Sequence, residues 1–219
     1  MIDPIARQIR QARKERLVFP DDEARQVWLP LLLEAAAIVD AGVGEGIRRE
    51  EKQGRNLACH KGCAACCRSH TTIPVYPLEL IGITWYTVEK LEGPVREQLK
   101  QQLRAHVQGA PCPLLVDDAC AVHPLRPLAC RQFNVFGQVC EEGEDAYYTR
   151  RADVFTPLRE YADAAFDAML PFYGVAKSAE RARLIESGEV HRLAKVLQDY
   201  DWKKLAERMQ MFDNRRPPE

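Results

Sequence analysis

Cys59-His60-Lys61-Gly62-Cys63-Ala64-Ala65-Cys66-Cys67 carries four thiols in one short run. Four more follow at Cys112, Cys120, Cys130 and Cys140, so all eight cysteines of the chain fall within residues 59–140. If the first run were helical, positions 59, 63, 66, 67 and 70 would fall within an arc of about 100° at ~100° per residue. Four thiols and His70 would then share a face. Gly62 offers the alternative, a turn, which also suits a ligand loop. Either way several sulfurs are forced together, and thiolates at that density repel one another unless a cation sits among them. The second group is more widely spaced than the paired knuckles of a zinc finger. Together the groups supply eight sulfurs, enough for two four-ligand sites or one polynuclear site with bridging thiolates. The adjacency of Cys66 and Cys67 favours sharing, because neighbouring cysteines do not easily chelate one ion.

Outside this region the chain reads as ordinary globular protein. Its 219 residues suit one domain, expected to span residues 1–219, with a real hydrophobic core. Hydrophobic residues make up 46% and charged residues 29%, which excludes a disordered chain. The net charge of −1 gives no global case for binding nucleic acid or a membrane. The N-terminal MIDPIARQIRQARKERL has no apolar core of a secretory signal. The most apolar stretch, Val27 to Val39, is interrupted by Pro30 and Glu34, too soon for a membrane span. A cytoplasmic location is therefore expected, where thiols stay reduced and clustered cysteines point to metal or redox chemistry.

The flanking sequence is helical in pattern, so the fold is expected to be mainly α, a helical scaffold around an irregular cysteine-rich insert. Arg7, Arg10, Arg13, Lys14 and Arg16 give a basic first helix, read as a solvated face. A second helix, capped at Asp21 or Asp22, places Val27, Leu31, Leu32, Ala35, Ile38 and Val39 at helical spacing, with Gly42, Gly44 and Gly46 breaking or bending it. Pro77 opens a helix with a stripe of Leu78, Ile81, Trp85 and Val88. Gly93-Pro94 starts the next, with Val95, Leu99 and Leu103 inward. Residues 109–150 have no sustained period, although Leu114 to Val116 and Cys120 to Val122 around Asp117-Asp118 can form one hairpin. Helices resume at Thr156-Pro157, with Phe155, Leu158, Ala162, Ala165, Phe166 and Met169 on the apolar face and Pro171 and Gly174 ending it. Further helices are expected over 177–186 and 189–211, and a fraying tail from Asn214.

One combination is specific. Cys-x3-Cys-x2-Cys-Cys, then Pro111-Cys112 and Cys120, then Arg126-Pro127-Leu128-Ala129-Cys130-Arg131, resembles the YkgJ-type cysteine-cluster proteins, also called the CxxCxxCC zinc- or iron-chelating domain. The resemblance covers residues 59 to 140. It implies binding of a metal ion or an iron–sulfur cluster and little about a reaction. A related domain occurs in flagellin lysine N-methylases, so an enzyme built on the cluster, protein-modifying or redox, is the alternative it implies. The Cys59-x3-Cys63-x2-Cys66 spacing is also that of radical-SAM enzymes. Their fold needs repeated βα units, which this chain lacks, and Cys67 and the four later cysteines would go unused.

The expected metal ligands are Cys59, Cys63, Cys66, Cys67, Cys112, Cys120, Cys130 and Cys140. Zinc and iron–sulfur clusters both accept four thiolates, and the donor set favours neither. Arg126 and Arg131 flank Cys130 and are candidates to donate hydrogen bonds to metal-bound sulfur; the plainer alternative is a salt bridge. His60, His70 and His123 stand beside cysteines but are read as supporting or surface residues. His106 is expected at a packed interface and His191 in solvent. Trp28, Trp85 and Trp202 are read as core. No Ser/His/Asp set, phosphate loop or carboxylate pair stands out. The partners implied are a metal ion and a possible protein, with neither membrane nor nucleic acid.

Overall fold

The structure, a computed structural model, describes residues 3–215. Among the described residues it is mainly α: eleven α-helices and two antiparallel two-stranded ladders. The elements are α1 (Pro4–Glu15), α2 (Pro20–Glu23), α3 (Leu29–Lys52), α4 (Ala65–Ser69), β1 (Pro74–Val75), α5 (Pro77–Trp85), α6 (Gly93–Ala105), β2 (Leu115–Val116), β3 (Ala119–Cys120), α7 (Leu128–Gln132), α8 (Ala146–Thr149), α9 (Arg159–Met169), α10 (Ser178–Glu186), β4 (Lys195–Val196) and α11 (Trp202–Asp213). No helix is long and apolar enough to cross a membrane among the described residues.

The long helix α3 organises the first core. Leu29, Leu32, Leu33, Ala35, Ile38 and Val39 are buried, and α9 packs along it through Tyr161, Ala165, Ala168 and Met169. Val27, expected in this stripe, precedes the helix and is exposed. The three glycines do not break α3. Gly42 and Gly46 lie one turn apart on the face toward Tyr161 and Phe155. A Cβ at Gly42 would stand 2.6 Å from Tyr161 Cβ, and one at Gly46 would stand 2.3 Å from Phe155 Cε2. They remove side-chain bulk so that backbone and aromatic ring can touch; the helix's own hydrogen bonds do not depend on them. The basic helix α1, capped by Asp3 on the Ile5 amide at 3.0 Å, docks on α3, with Arg13 paired to Glu34 at 2.8 Å.

A second core lies beneath the cysteine region. It joins Ile73, Val75, Ile83, Leu99, Leu103, Leu114, Val122, Leu197, Trp202, Leu205 and Met209. Helix α5 opens at Pro77 as expected, but its buried face is Leu78, Glu79, Gly82, Ile83 and Trp85, with Ile81 exposed. Leu78 and Trp85 of the expected stripe are therefore buried, and Val88 packs half-buried on the second core after a π-helical turn, Tyr86–Lys90, that shifts the phase of the residues beyond Trp85. In α6, Leu99 and Leu103 are buried, while Val95 is exposed. Arg96 and Lys100 are buried instead, both on Asp213 of α11, at 2.7 and 2.6 Å. Arg96 also donates to the carbonyls of Thr87, Val88 and Leu91, satisfying the end of the π turn.

The 189–211 helix is not continuous. Residues Glu189–Leu193 form a 3-10 turn, β4 then pairs with β1 in the register Pro74↔Val196, and α11 starts afresh at Trp202, capped by Asp201 on the Lys204 amide. Similarly, α9 begins at Arg159, after Thr156-Pro157, because Phe155 donates to Asn134 O at 2.8 Å and holds the preceding chain extended. The hairpin is as expected: β2 and β3 pair Leu115↔Cys120 and Val116↔Ala119. Asp117 and Asp118 have φ of 47° and 59°, the left-handed pair that a type I′ turn requires. Most of the expected fraying tail lies outside the described residues.

Candidate metal centre

The cysteine region is organised by three short extended segments. Residues 56–58 and 153–155 flank residues 134–137 on either side. Ala58 donates to Val135 O and Gly137 to Asn56 O, each at 2.8 Å, while Phe136 donates to Asp153 O at 2.9 Å. This fixes where Cys59 leaves the sheet-like strip, and its Sγ accepts the Val135 amide at 3.3 Å. The chain then turns at Gly62, whose φ is +85°, and Cys63 N donates to His60 O at 3.0 Å. Only Ala65–Ser69 is helical, so the shared helical face does not form; the turn at Gly62 replaces it, and only Cys66 and Cys67 lie on α4.

The two sequence groups then exchange members. Cys67 O accepts the Cys112 amide at 2.7 Å, which sets the two thiols side by side. Cys67, Cys112, Cys120 and Cys130 all pack on the second core. Cys59 and Cys140 pack instead on a small separate core of Val135, Ala146 and Val154. The charge neighbours of Cys59 are Cys63, Cys66 and Cys140, and those of Cys130 are Cys120, Cys66 and Cys67. Cys66 therefore stands between the sets.

All eight cysteines are free thiols. Burial pushes the Cys130 thiol well above the ordinary range, and it also raises Cys59, Cys120 and Cys140. The hydrogen bond to Cys112 raises Cys67 to about 12, and the bond to Cys67 raises Cys66 further. Without a cation these thiols hold their protons. The donor set is that of a soft, thiophilic metal. Among the described residues, however, no three His, Cys, Asp or Glu side chains already surround a point as ligands would. Coordination must replace the S–H···S contacts and draw the sulfurs together. The residues fit a thiolate-bound metal by chemistry and neighbourhood, with closure left to the ion.

The candidate arginines behave differently from one another. Arg131 is buried and its hydrogen bonds go to Arg126 O, Pro124 O and Asp40, at 3.0, 2.6 and 2.5 Å. Arg126 bonds His123 O at 3.0 Å. Neither donates to a sulfur; their positive charges instead favour the Cys120 thiolate through space. Arg150, missed in the sequence, is the arginine that reaches a sulfur, with Nη2 3.7 Å from Cys140 Sγ. It is braced by Glu144 at 2.8 Å, whose carboxyl it holds down to about 2. No local pattern links residues 140, 144 and 150.

Glu79 was also missed. It is fully buried and accepts the Tyr76 amide at 2.7 Å and the Leu128 amide at 2.6 Å. One carboxylate thus caps α5 and the first turn of α7, which carries Cys130. Burial raises it to about 7. A glutamate two residues after Pro77 is the signal that could have marked it as a capping residue.

Among the histidines, His70 Nε2 lies 3.2 Å from Asp145 and its ring meets Phe133 edge-on. His60 is exposed, and His191, though exposed, bonds Tyr76 OH at 2.8 Å. Trp85 and Trp202 are buried, and Trp28 is half-buried against Trp85.

Residues 58–153 match the CxxCxxCC family model, described as a putative zinc- or iron-chelating domain. No curated protein and no solved structure matches the chain. The CxxCxxCC match covers the middle extended segment, the inner ends (Ala58 and Asp153) of the other two, all eight cysteines and Arg150. It leaves out α1 to α3 and α9 to α11. Two cavities have no cysteine in their lining: one of about 590 Å³ between α5, α11 and the chain ahead of α3, and one of about 420 Å³ between the chain after α6 and the start of α11.

Proposed function

We propose that this is a cytoplasmic metal-binding protein in which all eight cysteines serve as sulfur ligands to zinc or an iron–sulfur cluster. The observation that carries it is that eight free thiols from five separate segments form a chain of neighbours across two adjoining cores, within the span of the chelating-domain match. A core would not spend eight buried or half-buried thiols on packing alone, and unpaired thiols this close gain most from a cation. Zinc and iron share the donor set.

Anaerobic purification followed by an absorption spectrum and analysis of zinc, iron and acid-labile sulfide tests this. Brown protein with iron and sulfide makes the ligand an iron–sulfur cluster. Colourless protein with stoichiometric zinc makes it zinc. Protein free of both, with eight titratable thiols, would overturn the proposal. The lysine-methylase-like alternative would be favoured by an open coordination position or a substrate pocket beside the thiols, and the redox alternative by a reducible iron–sulfur cluster in the purified protein.

A further inference from the structure

The eight thiols are grouped in space differently from their order in sequence. We propose that they form two unequal metal sites: a sheltered one from Cys67, Cys112, Cys120 and Cys130, and an open one from Cys59, Cys63, Cys66 and Cys140. The proposal rests on the metal-binding function above and goes further by assigning each thiol to a site.

Three independent observations define the sheltered set. Cys112 N donates to Cys67 O at 2.7 Å, which ties the last turn of the first cysteine run to the start of the hairpin. Cys120 ends β3 of that hairpin. Cys130 rides on α7, whose first amide is held by the buried Glu79. All four sulfurs abut the core around Leu99, Leu103 and Trp202.

The open set is built on different material. Cys59 is held by the Val135 amide and Cys140 by Arg150, and both lie on the three-residue core of Val135, Ala146 and Val154. Cys63 follows the exposed turn at His60 to Gly62, and Cys140 is flanked by exposed residues on both sides. On α4 the successive side chains of Cys66 and Cys67 diverge by ~100°, so one helical turn can serve two sites. Cys67 packs on the second core, while Cys66 packs on neither core and stands between the sets, and it is assigned to the open set as the fourth sulfur beside Cys59. Each site then holds four sulfurs, the number a thiolate-bound zinc or a cubane cluster takes.

Exposure sets the rates. Water and competing ligands reach the open set through the loops around Cys63 and Cys140, whereas the sheltered set releases its ion only when the core around it opens. The open site is where an ion is exchanged, and the sheltered site is where one is retained.

Double variants separate this partition from one that follows sequence order. Cys63→Ser/Cys140→Ser removes two ligands from the open site only, but would damage both sites if the first four and last four cysteines formed them. Cys67→Ser/Cys120→Ser does the same for the sheltered site. The readout is metal per chain in the anaerobically purified full-length protein, with zinc and iron counted together, and its loss to excess EDTA over time. Helical circular dichroism confirms folding. Wild type is expected to release metal in two phases. The Cys63→Ser/Cys140→Ser variant is expected to keep about half the metal and only the slow phase. If Cys67→Ser/Cys120→Ser folds, it keeps only the fast phase; the first variant decides the matter even if the second does not fold. Loss of all metal from folded Cys63→Ser/Cys140→Ser, or a single release phase in wild type, overturns the partition while metal binding stands. Absence of metal from the wild type itself overturns both.

Discussion

The helical shell and the cysteine region are stabilised by different physics. The core around α3 and α9 joins fifteen buried residues in one apolar cluster, some of them from α5 and from the start of α7, with Tyr161 and Phe155 pressed against glycine backbone. The cluster around Val135 joins three, Phe136 and Phe155 of the same strip are buried beside it, and the strip is otherwise held by a handful of backbone hydrogen bonds. Apolar area stabilises at about 25 cal/mol per Å², so the shell is self-sufficient and the strip is not. A region of short bridges and turns with so small a core needs another source of free energy, and a sulfur-bound ion is one that its own residues can recruit.

Stripping the metal tests this contrast most severely. Binding of a structural zinc ion is worth about 10–16 kcal/mol in small domains at neutral pH. Chelation is therefore expected to expose the amides of residues 56–69 and 133–155 to hydrogen exchange while α3 and α9 stay protected. Equal loss of protection in both regions would show that the shell depends on the ion as well.

The opposite perturbation is Gly42→Ala. The added Cβ meets Tyr161 Cβ, a backbone-anchored atom that cannot swing away. A loss of about 1–3 kcal/mol of global stability is expected from overpacking, measured by urea unfolding, with metal content per folded chain unchanged.

Glu79 lies where the two regions meet. Glu79→Gln places an amide NH2 against one of two backbone N–H groups, leaving it without an acceptor at a cost of about 1–3 kcal/mol. Disorder of α7 should accompany it, read as faster exchange at Leu128 to Arg131, with α9 unaffected.

The pH dependence of metal affinity follows from the raised thiols. Cys59, Cys66, Cys67, Cys120, Cys130 and Cys140 are protonated at neutral pH in the absence of an ion, so each bound ion releases protons. Affinity must then rise with pH and fall on acidification, with a slope of up to about four protons per four-thiolate ion. Competition with a chromophoric chelator between pH 6 and 8 measures it. A flat profile would mean that the thiols ionise before binding.

The smallest effect is expected of Arg150→Ala. It removes a cation from Cys140 at the open edge and should speed metal release a few-fold without changing the metal stoichiometry.

Much of this architecture was legible in the residues. Pro77, Gly93-Pro94 and Asp117-Asp118 fix local backbone geometry by covalent and steric rules, and the elements they announce are present. The breakdown of the 189–211 helix was not legible, because β4 exists only through pairing with β1, more than a hundred residues away. The glycines of α3 misled for a related reason: their use depends on Tyr161 and Phe155, which only the tertiary fold brings alongside. Buried Arg96 and Lys100 broke the apolar stripe of α6 because Asp213 lies opposite. At the candidate centre the clustering of the thiols was visible and their spatial partnership was not. Local spacing groups Cys67 with Cys59 and Cys140 with Cys130, whereas long-range hydrogen bonds regroup them.

The bond from Cys112 to Cys67 and the seat of Cys59 against Val135 also bear on how the protein is made. During synthesis the run Cys59 to Cys67 leaves the ribosome first, before Cys140 of the open set and Cys112, Cys120 and Cys130 of the sheltered set have been translated. An ion captured then would be held by Cys59, Cys63 and Cys66 with Cys67 in the place that Cys140 takes in the finished molecule. Productive loading must therefore wait for the chain to pass Cys140, or be undone by ligand exchange afterwards, so the order of translation and the timing of metal supply are coupled.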